Sequence, residues 1–291
     1  MSADARGGGA TPGALHVVST PIGNLADLSP RAASVLREVG LIVAEDTRVA
    51  RVLLTGLGVD RPVESLPGFD ERDRIAPIIA RLAAGESVAL ISDAGTPLIS
   101  DPGQHLVAAA IERGVRVVPI PGPSALLAAV VASGIVGARW VFEGFLPRNG
   151  VDRERAIGTI AAEECASVVY EAGNRIAETL RDLAAACGDE RPAAICRELT
   201  KFHEEIVRGG LGALARAGAS GEIDGRGEFV LVVGAEQPRT REVVSAGAYP
   251  AALAAVEAAI AAGESRSGAV RRIAAEWHLE RRRLWSLAHE T

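Results

Sequence analysis

Four short apolar runs, at residues 15–19, 41–44, 88–92 and 116–120, punctuate the first half of the chain, and helix-like stretches at 30–39, 70–84 and 104–113 separate them. Apolar runs of this length without polar alternation predict strands buried on both faces, and the helices between them predict a parallel sheet covered on both sides. The third run, its helix and the fourth run follow one another directly, as a right-handed crossover requires.

Each run is followed by a loop of glycine, proline and small polar or acidic residues. These are Thr20-Pro21-Ile22-Gly23-Asn24, Glu45-Asp46-Thr47-Arg48, Asp93-Ala94-Gly95-Thr96-Pro97 and Pro121-Gly122-Pro123-Ser124. Ligands of open α/β sheets bind beyond the carboxyl ends of the strands, so the four loops mark that edge as a ligand site.

From about Ser124 a second α/β unit is expected, with strands at 167–171, 193–197 and 228–233 and helices at 152–164, 175–187 and 211–217. Residues 237–249 read as a linker, and 250–263, 267–277 and 280–289 as three helices. The expected organisation is a disordered tail (1–13), an N-terminal α/β domain (14–122), a C-terminal α/β domain (123–237) with a cleft between the two, and a linker with a helical appendage (238–291).

Composition narrows the function classes. The 291 residues are 48% hydrophobic and 23% charged with net charge −6, which is globular and excludes a polycation. Three cysteines without CxxC spacing and scattered histidines exclude a disulfide scaffold and give no metal ligands. The first 13 residues lack the apolar core of a signal peptide. No apolar run reaches the roughly 18–20 residues of a membrane span, so a cytoplasmic protein is expected. After Pro238 the chain carries eight arginines and six glutamates. Arg266, Arg271, Arg272, Arg281, Arg282 and Arg283 are dense there, and an apolar face of Val270, Ile273, Ala274 and Trp277 opposite Leu279, Leu284 and Leu287 suggests a helix-turn-helix lying on RNA.

The loops lack GxGxxG after the first strand and lack GxxxxGK[ST], which disfavours a Rossmann dehydrogenase and a P-loop kinase. Ser124 opens an apolar helix and is not in a nucleophile elbow. Gly95 and Gly122 let backbone approach a ligand, Ser92, Thr96 and Ser124 offer hydroxyls, and Pro97, Pro121 and Pro123 stiffen the turns. Such a cradle can grip an adenosine and an amino-acid tail without a phosphate clamp. Ser124 can cap its helix as well as touch the ligand.

Residues 19–25 (STPIGNL), 44–48 (AEDTR), 90–103 (LISDAGTPLISDPG), 121–125 (PGPSA), 142–148 (FEGFLPR) and 197–201 (RELTK) occur in that order. In these the chain resembles the tetrapyrrole-methylase superfamily, the class III S-adenosylmethionine-dependent methyltransferases, and within it the RsmI-type ribosomal RNA methyltransferases. The resemblance spans about residues 15–233. It implies two α/β domains of the tetrapyrrole-methylase type, a homodimer, S-adenosylmethionine as cofactor, and 2′-O-methylation of a cytidine ribose in the decoding region of 16S ribosomal RNA or the small subunit.

It further implies cofactor contacts from Pro21, Ser92, Asp93, Gly95, Thr96, Ile99, Ser124, Ala125, Tyr170 and Arg197. RNA contacts are expected from Arg48 and Arg148 besides the tail arginines. Glu45, Asp46 and Glu198, with Lys201, are the expected catalytic group, and Asp101 is a further candidate base. Asp93 directly follows the third strand, so its carboxylate is expected to point into the crevice. The family's Tyr-Glu-Ala-Pro-His-Arg reads Tyr170-Glu171-Ala172-Gly173-Asn174-Arg175 here, with Pro and His replaced. Two other readings are a small-molecule tetrapyrrole methylase and a non-catalytic RNA-binding assembly factor. The basic appendage argues against the first, and the intact 90–103 motif argues against the second.

Overall fold

The computed structural model describes residues 13–68, 71–235, 248–277, 279 and 281–290. Residues up to 235 form one compact unit, and those from 248 belong to a second.

The first unit holds two five-stranded sheets. The first sheet is parallel throughout, in the order β3-β2-β4-β1-β5, from β1 (Ala14–Val18), β2 (Leu41–Ala44), β3 (Val63–Ser65), β4 (Val88–Ile91) and β5 (Arg116–Ile120). Its four expected strands are all present. The crossover from β4 to β5 spans β1, which lies between them.

The apolar runs are explained by the two faces they serve. Leu41, Val43, Val88 and Leu90 pack on one face with Ile78 and Leu82 of α3 (Glu71–Ala83) and Leu106 of α4 (Gln104–Glu112). Ile42, Ala44, Ala89 and Ile91 pack on the other with Leu36 of α1 (Pro30–Glu38) and Leu54 of α2 (Thr47–Gly56). Every one of these strand residues is buried, so no polar position survives to give an alternating pattern. Helix α1 starts where Ser29 accepts the N–H of Ala32 and Pro30 takes the first turn. Asp70, the expected start of α3, lies outside the described residues.

The second sheet runs β6-β7-β10-β8-β9. Its strands are β6 (Trp140–Phe145), β7 (Ala166–Ala172), β8 (Pro192–Arg197), β9 (Glu205–Gly210) and β10 (Glu228–Val233). Only β6 and β7 are parallel; the other pairings are antiparallel. Helices α6 (Gly150–Ala162), α7 (Ile176–Cys187) and α8 (Leu211–Ser220) cover the face bearing Val169, Ile195 and Leu231. Helix α5 (Ala125–Ser133) covers the face bearing Val168, Cys196 and Val230, and Ile22 from the loop after β1 joins that cluster. That packing fixes the loops of the first sheet against the second.

The second unit consists of α9 (Ala248–Ala261), α10 (Arg266–Glu276) and α11 (Arg281–Glu290) around Ala252, Val256, Val270, Ile273, Ala274, Leu279 and Leu284. Ser265 caps α10 through the N–H of Gly268. Trp277, expected in the apolar face, is exposed, and Leu287 is only half-buried. Most of the expected linker lies outside the described residues.

Candidate active site

The loops after β1 and β4 are tied edge to edge. The backbone N–H of Thr20 donates to Gly95 O at 2.8 Å, and Gly95 N–H returns to Thr20 O at 3.1 Å. Thr96 Oγ1 donates to Pro123 O at 3.0 Å and lies 3.0 Å from Ser19 Oγ, joining the loop after β5. Buried Ser92 donates to the carbonyls of Ala94 and Gly95. Gly122 is held so close that an added Cβ would lie 2.9 Å from Ser19 Cβ.

Beyond these loops lies a cavity of about 390 Å³, within the range of small-molecule sites. The first sheet contributes Ile22, Asp93 to Thr96, Ile99, Ser100 and Asp101; the second contributes Phe145, Tyr170, Glu171, Ala172, Cys196, Glu198, Leu199, Lys201 and 227–230; Ser124 and Ala125 close the floor. Asp93, Gly95, Thr96, Ile99, Ser124, Ala125 and Tyr170, expected at the cofactor, and Glu198 and Lys201, expected in catalysis, all line this one cavity. Ser124 also accepts the N–H of Leu127 as the cap of α5.

Pro21, Ser92 and Arg197, expected at the cofactor, are not among the residues lining the cavity. Ile22, not Pro21, reaches the cavity from the first loop. Ser92 sits beneath the surface and braces the loop from behind. Arg197 is engaged elsewhere: its Nη2 donates to Asp224 at 3.0 Å and its Nε to Arg226 O at 2.8 Å, holding β8 to the turn before β10.

The wall is acidic. Asp93, Asp101, Glu171, Glu198 and Glu228 line it with a single cation, Lys201. Lys201 Nζ spans Glu198 at 2.8 Å and Glu228 at 2.9 Å. Burial works against its charge, but these two carboxylates raise its pKa overall. Glu198 is likewise opposed by burial yet lowered by Lys201 and by the N–H of Glu228. Burial pushes the Asp101 carboxyl up to about 6; a hydrogen bond from Ser92 opposes the rise, and the charges of Glu45 and Asp93 add to it. Glu171 is 1% exposed and accepts from Thr179 Oγ1 at 2.6 Å and from the N–H of Ala172 at 2.9 Å.

Glu45 and Asp46 lie outside the cavity wall. Asp46 caps α2 and binds Arg48, whose hydrogen bonds hold its carboxyl down to about 2. A carboxylate so acidic is a poor proton acceptor. Burial, then Asp93 and Asp46, raise Glu45. Arg48 and Arg148 are exposed. In the helical unit Arg271, Arg281 and Arg282 are exposed, whereas Arg272 pairs with Glu264 and Glu276, and Arg283 lies over the Tyr249 ring at 4.7 Å.

Sequence reasoning missed Phe145, Cys196, Leu199, Gly227, Phe229 and Val230, whose ordinary identities carry no chemical signal, and Glu228, which stands in none of the recognised motifs. Of the two replaced positions, Gly173 has a structural account. Gly173 N–H donates to Gly227 O at 3.0 Å, and a Cβ at Gly173 would lie 2.4 Å from Gly225 O. The glycine lets the loop before β10 close on the cavity rim.

Among the described residues four non-glycine positions have left-handed backbone: Leu98, Ser100, Glu198 and Thr200. All four sit on the two loops that face each other across this cavity, where strained backbone commonly marks function.

The profile described as Tetrapyrrole (Corrin/Porphyrin) Methylases matches residues 14–215. A Xylella fastidiosa (strain Temecula1 / ATCC 700964) protein named ribosomal RNA small subunit methyltransferase I is 51% identical, over 77% of this chain and 82% of its own. The protein of the same name from Synechocystis sp. is 42% identical over 96% and 98%. Among solved structures, a cobalt precorrin-4 methyltransferase superposes with TM-score 0.57 at 16% identity, covering 76% of this chain and 94% of its own. A Thermus thermophilus uroporphyrin-III C-methyltransferase complexed with S-adenosyl homocysteine gives 0.55 at 18%, covering 76% and 97%. At such identities the structural likeness concerns the fold.

Proposed function

This chain belongs to the tetrapyrrole methylase family and, within it, to the ribosomal RNA small subunit methyltransferase I proteins, and we propose that it methylates the ribose 2′-oxygen of a cytidine in the decoding region of 16S ribosomal RNA. The cofactor is S-adenosylmethionine. The observation that carries the reading is the acidic cavity between the two sheets, in a chain whose Xylella fastidiosa and Synechocystis sp. relatives are named ribosomal RNA small subunit methyltransferases. We read 14–122 and 123–237 as the two domains that form it. A homodimer acting in the cytoplasm on the small subunit completes the proposal.

The cavity fits the cofactor. An adenosyl sulfonium is a cation, and carboxylates within about 4–6 Å favour a positive ligand. Asp93 and Asp101 place two on the wall. Ile22, Ile99, Ala125 and Tyr170 offer apolar surface for a nucleoside, and Gly95 lets the backbone approach. When bound, S-adenosylmethionine supplies a methyl group already activated on sulfur. The chain has to hold the acceptor oxygen in line and keep water out, and such positioning supplies ~7–11 kcal/mol. A ribose hydroxyl attacks poorly while protonated, so a neighbouring carboxylate accelerates transfer by taking its proton. Asp101 lines the cavity, whereas Glu45 and Asp46, the carboxylates expected in that role, lie outside its wall. Lys201, fixed between two carboxylates, orients the second wall of the site. Arg271, Arg281 and Arg282 supply phosphate contacts.

A thermal-shift titration tests cofactor use. S-adenosylhomocysteine at ~100 times its dissociation constant stabilises the fold by about 2.7 kcal/mol, whereas NAD and ATP leave the melting temperature unchanged. No shift at saturating cofactor overturns the proposal.

A further inference from the structure

Phe202 is 96% exposed, and the ring of His203 stands edge-on to it with centroids 5.0 Å apart. An aromatic with so little cover is unusual in a chain that is only 3% aromatic. Its mounting is rigid. The turn is closed by Lys201 N–H to Glu198 O at 3.0 Å and Glu204 N–H to Lys201 O at 3.1 Å. Glu204 also accepts the N–H of Thr200 at 2.7 Å, and the left-handed Glu198 and Thr200 set the turn's shape. Lys201, the residue before Phe202, lines the cavity and is pinned on both sides. The stem of Lys201 also abuts Gly23, so the loop after β1 backs the turn.

We infer that Phe202 is a stacking platform for an unpaired RNA base beside the nucleotide whose ribose enters the cavity. The inference rests on the proposed RNA substrate. A ribose reaches a cavity only when its nucleotide leaves the helical stack, and exposed aromatic faces replace the stacking given up. The rim is acidic and repels phosphate, so a neutral base is the part of RNA it can hold. The hydrogen-bonded turn means that little backbone freedom is lost on binding.

The test uses full-length protein and small ribosomal subunits from cells lacking the gene. Phe202→Ala is expected to raise KM for the subunit at least about fivefold, the low end of measured stacking losses. The dissociation constant for S-adenosylmethionine and the oligomeric state are expected to stay within twofold and unchanged. Phe202→Tyr or Phe202→Trp is expected to restore KM, and Phe202→Leu is not. KM within twofold of wild type for Phe202→Ala overturns the inference, as does full rescue by leucine. A shift of Phe202→Ala toward smaller oligomers overturns it too, by assigning the ring to a second copy of the chain. Absence of methyl transfer by the wild type defeats the parent reading and this one together; normal wild-type transfer with an indifferent Phe202→Ala defeats this one alone.

Discussion

Asp93 Oδ1 accepts the backbone N–H of Asp46 at 3.1 Å, so the carboxylate that follows β4 also holds the start of α2. The cavity wall and the loop expected to face RNA are thereby one hydrogen-bonded piece. Two substitutions separate the two duties. Asp93→Asn keeps an acceptor for Asp46 N–H and removes the charge; Asp93→Ala removes both. Calorimetric titration is expected to show the cofactor dissociation constant rising at least tenfold in both, about 1.4 kcal/mol. Only Asp93→Ala is expected to lose turnover at saturating cofactor.

Asp101 titrates within a workable range. Its carboxyl, lifted by burial to about 6, is charged at pH 7 and takes up a proton as the pH falls through 6. Binding of a cationic cofactor is therefore expected to weaken roughly tenfold between pH 7 and pH 5, where only about a tenth of the group is ionised. Asp101→Asn is expected to bind weakly at both values, with the pH dependence lost. The raised pKa also means that the ionised form is disfavoured by folding, so its cost is present above 6 and relieved as pH drops. The ligand-free Asp101→Asn protein is accordingly expected to melt higher than wild type at pH 7.

Gly173 tests the closure of the 225–227 loop. Gly173→Ala forces a Cβ against Gly225 O, and Gly173→Pro in addition removes the N–H given to Gly227 O. Overpacking of this kind costs ~1–3 kcal/mol. Chemical denaturation is expected to show that loss for alanine and a larger one for proline, with weaker cofactor binding because Gly227 and Glu228 line the cavity. Unchanged stability in Gly173→Pro contradicts the packing account.

The helical unit is tested by its unpaired arginines. Arg271, Arg281 and Arg282 form no ion pair among the described residues, in contrast to Arg272 with its two glutamates. Replacing the first three by alanine is expected to leave cofactor affinity intact and weaken RNA binding. The log–log salt slope is expected to fall by about 0.7–0.9 for each phosphate that is no longer neutralised. Arg272→Ala is expected to change the slope least.

The parallel sheet was legible because both faces of its strands are buried, which writes an unbroken apolar run into residues such as Leu41 to Ala44 and Val88 to Ile91. Strand β3 was not, since three residues with exposed Glu64 carry no period. Strands β6 and β9 escaped for a related reason. The register of β6 shifts between Phe142 and Gly144, and β9 ends in two glycines at the sheet edge. Site residues were legible where chemistry restricts the residue type, as at Asp93, Gly95 and Thr96. Pro21 and Arg197 belong to the same motifs yet do not line the cavity, because a motif records which residues stand together, not which of them faces the cavity. Asp101 stood only as a possible base; its half-buried place on the cavity wall depends on the left-handed turn at Leu98 and Ser100, which no local pattern announces.

The central claim concerns one atom of one nucleotide. Small ribosomal subunits from cells lacking the gene are incubated with the purified protein and S-adenosylmethionine, and ribose methylation is mapped along 16S ribosomal RNA by resistance of the adjacent linkage to alkaline cleavage. A single new 2′-O-methylated cytidine in the decoding region, absent when Asp93→Ala replaces the wild type, is the expected result. Transfer to a base, transfer to a porphyrinoid but not to the subunit, or no new ribose methylation would contradict it.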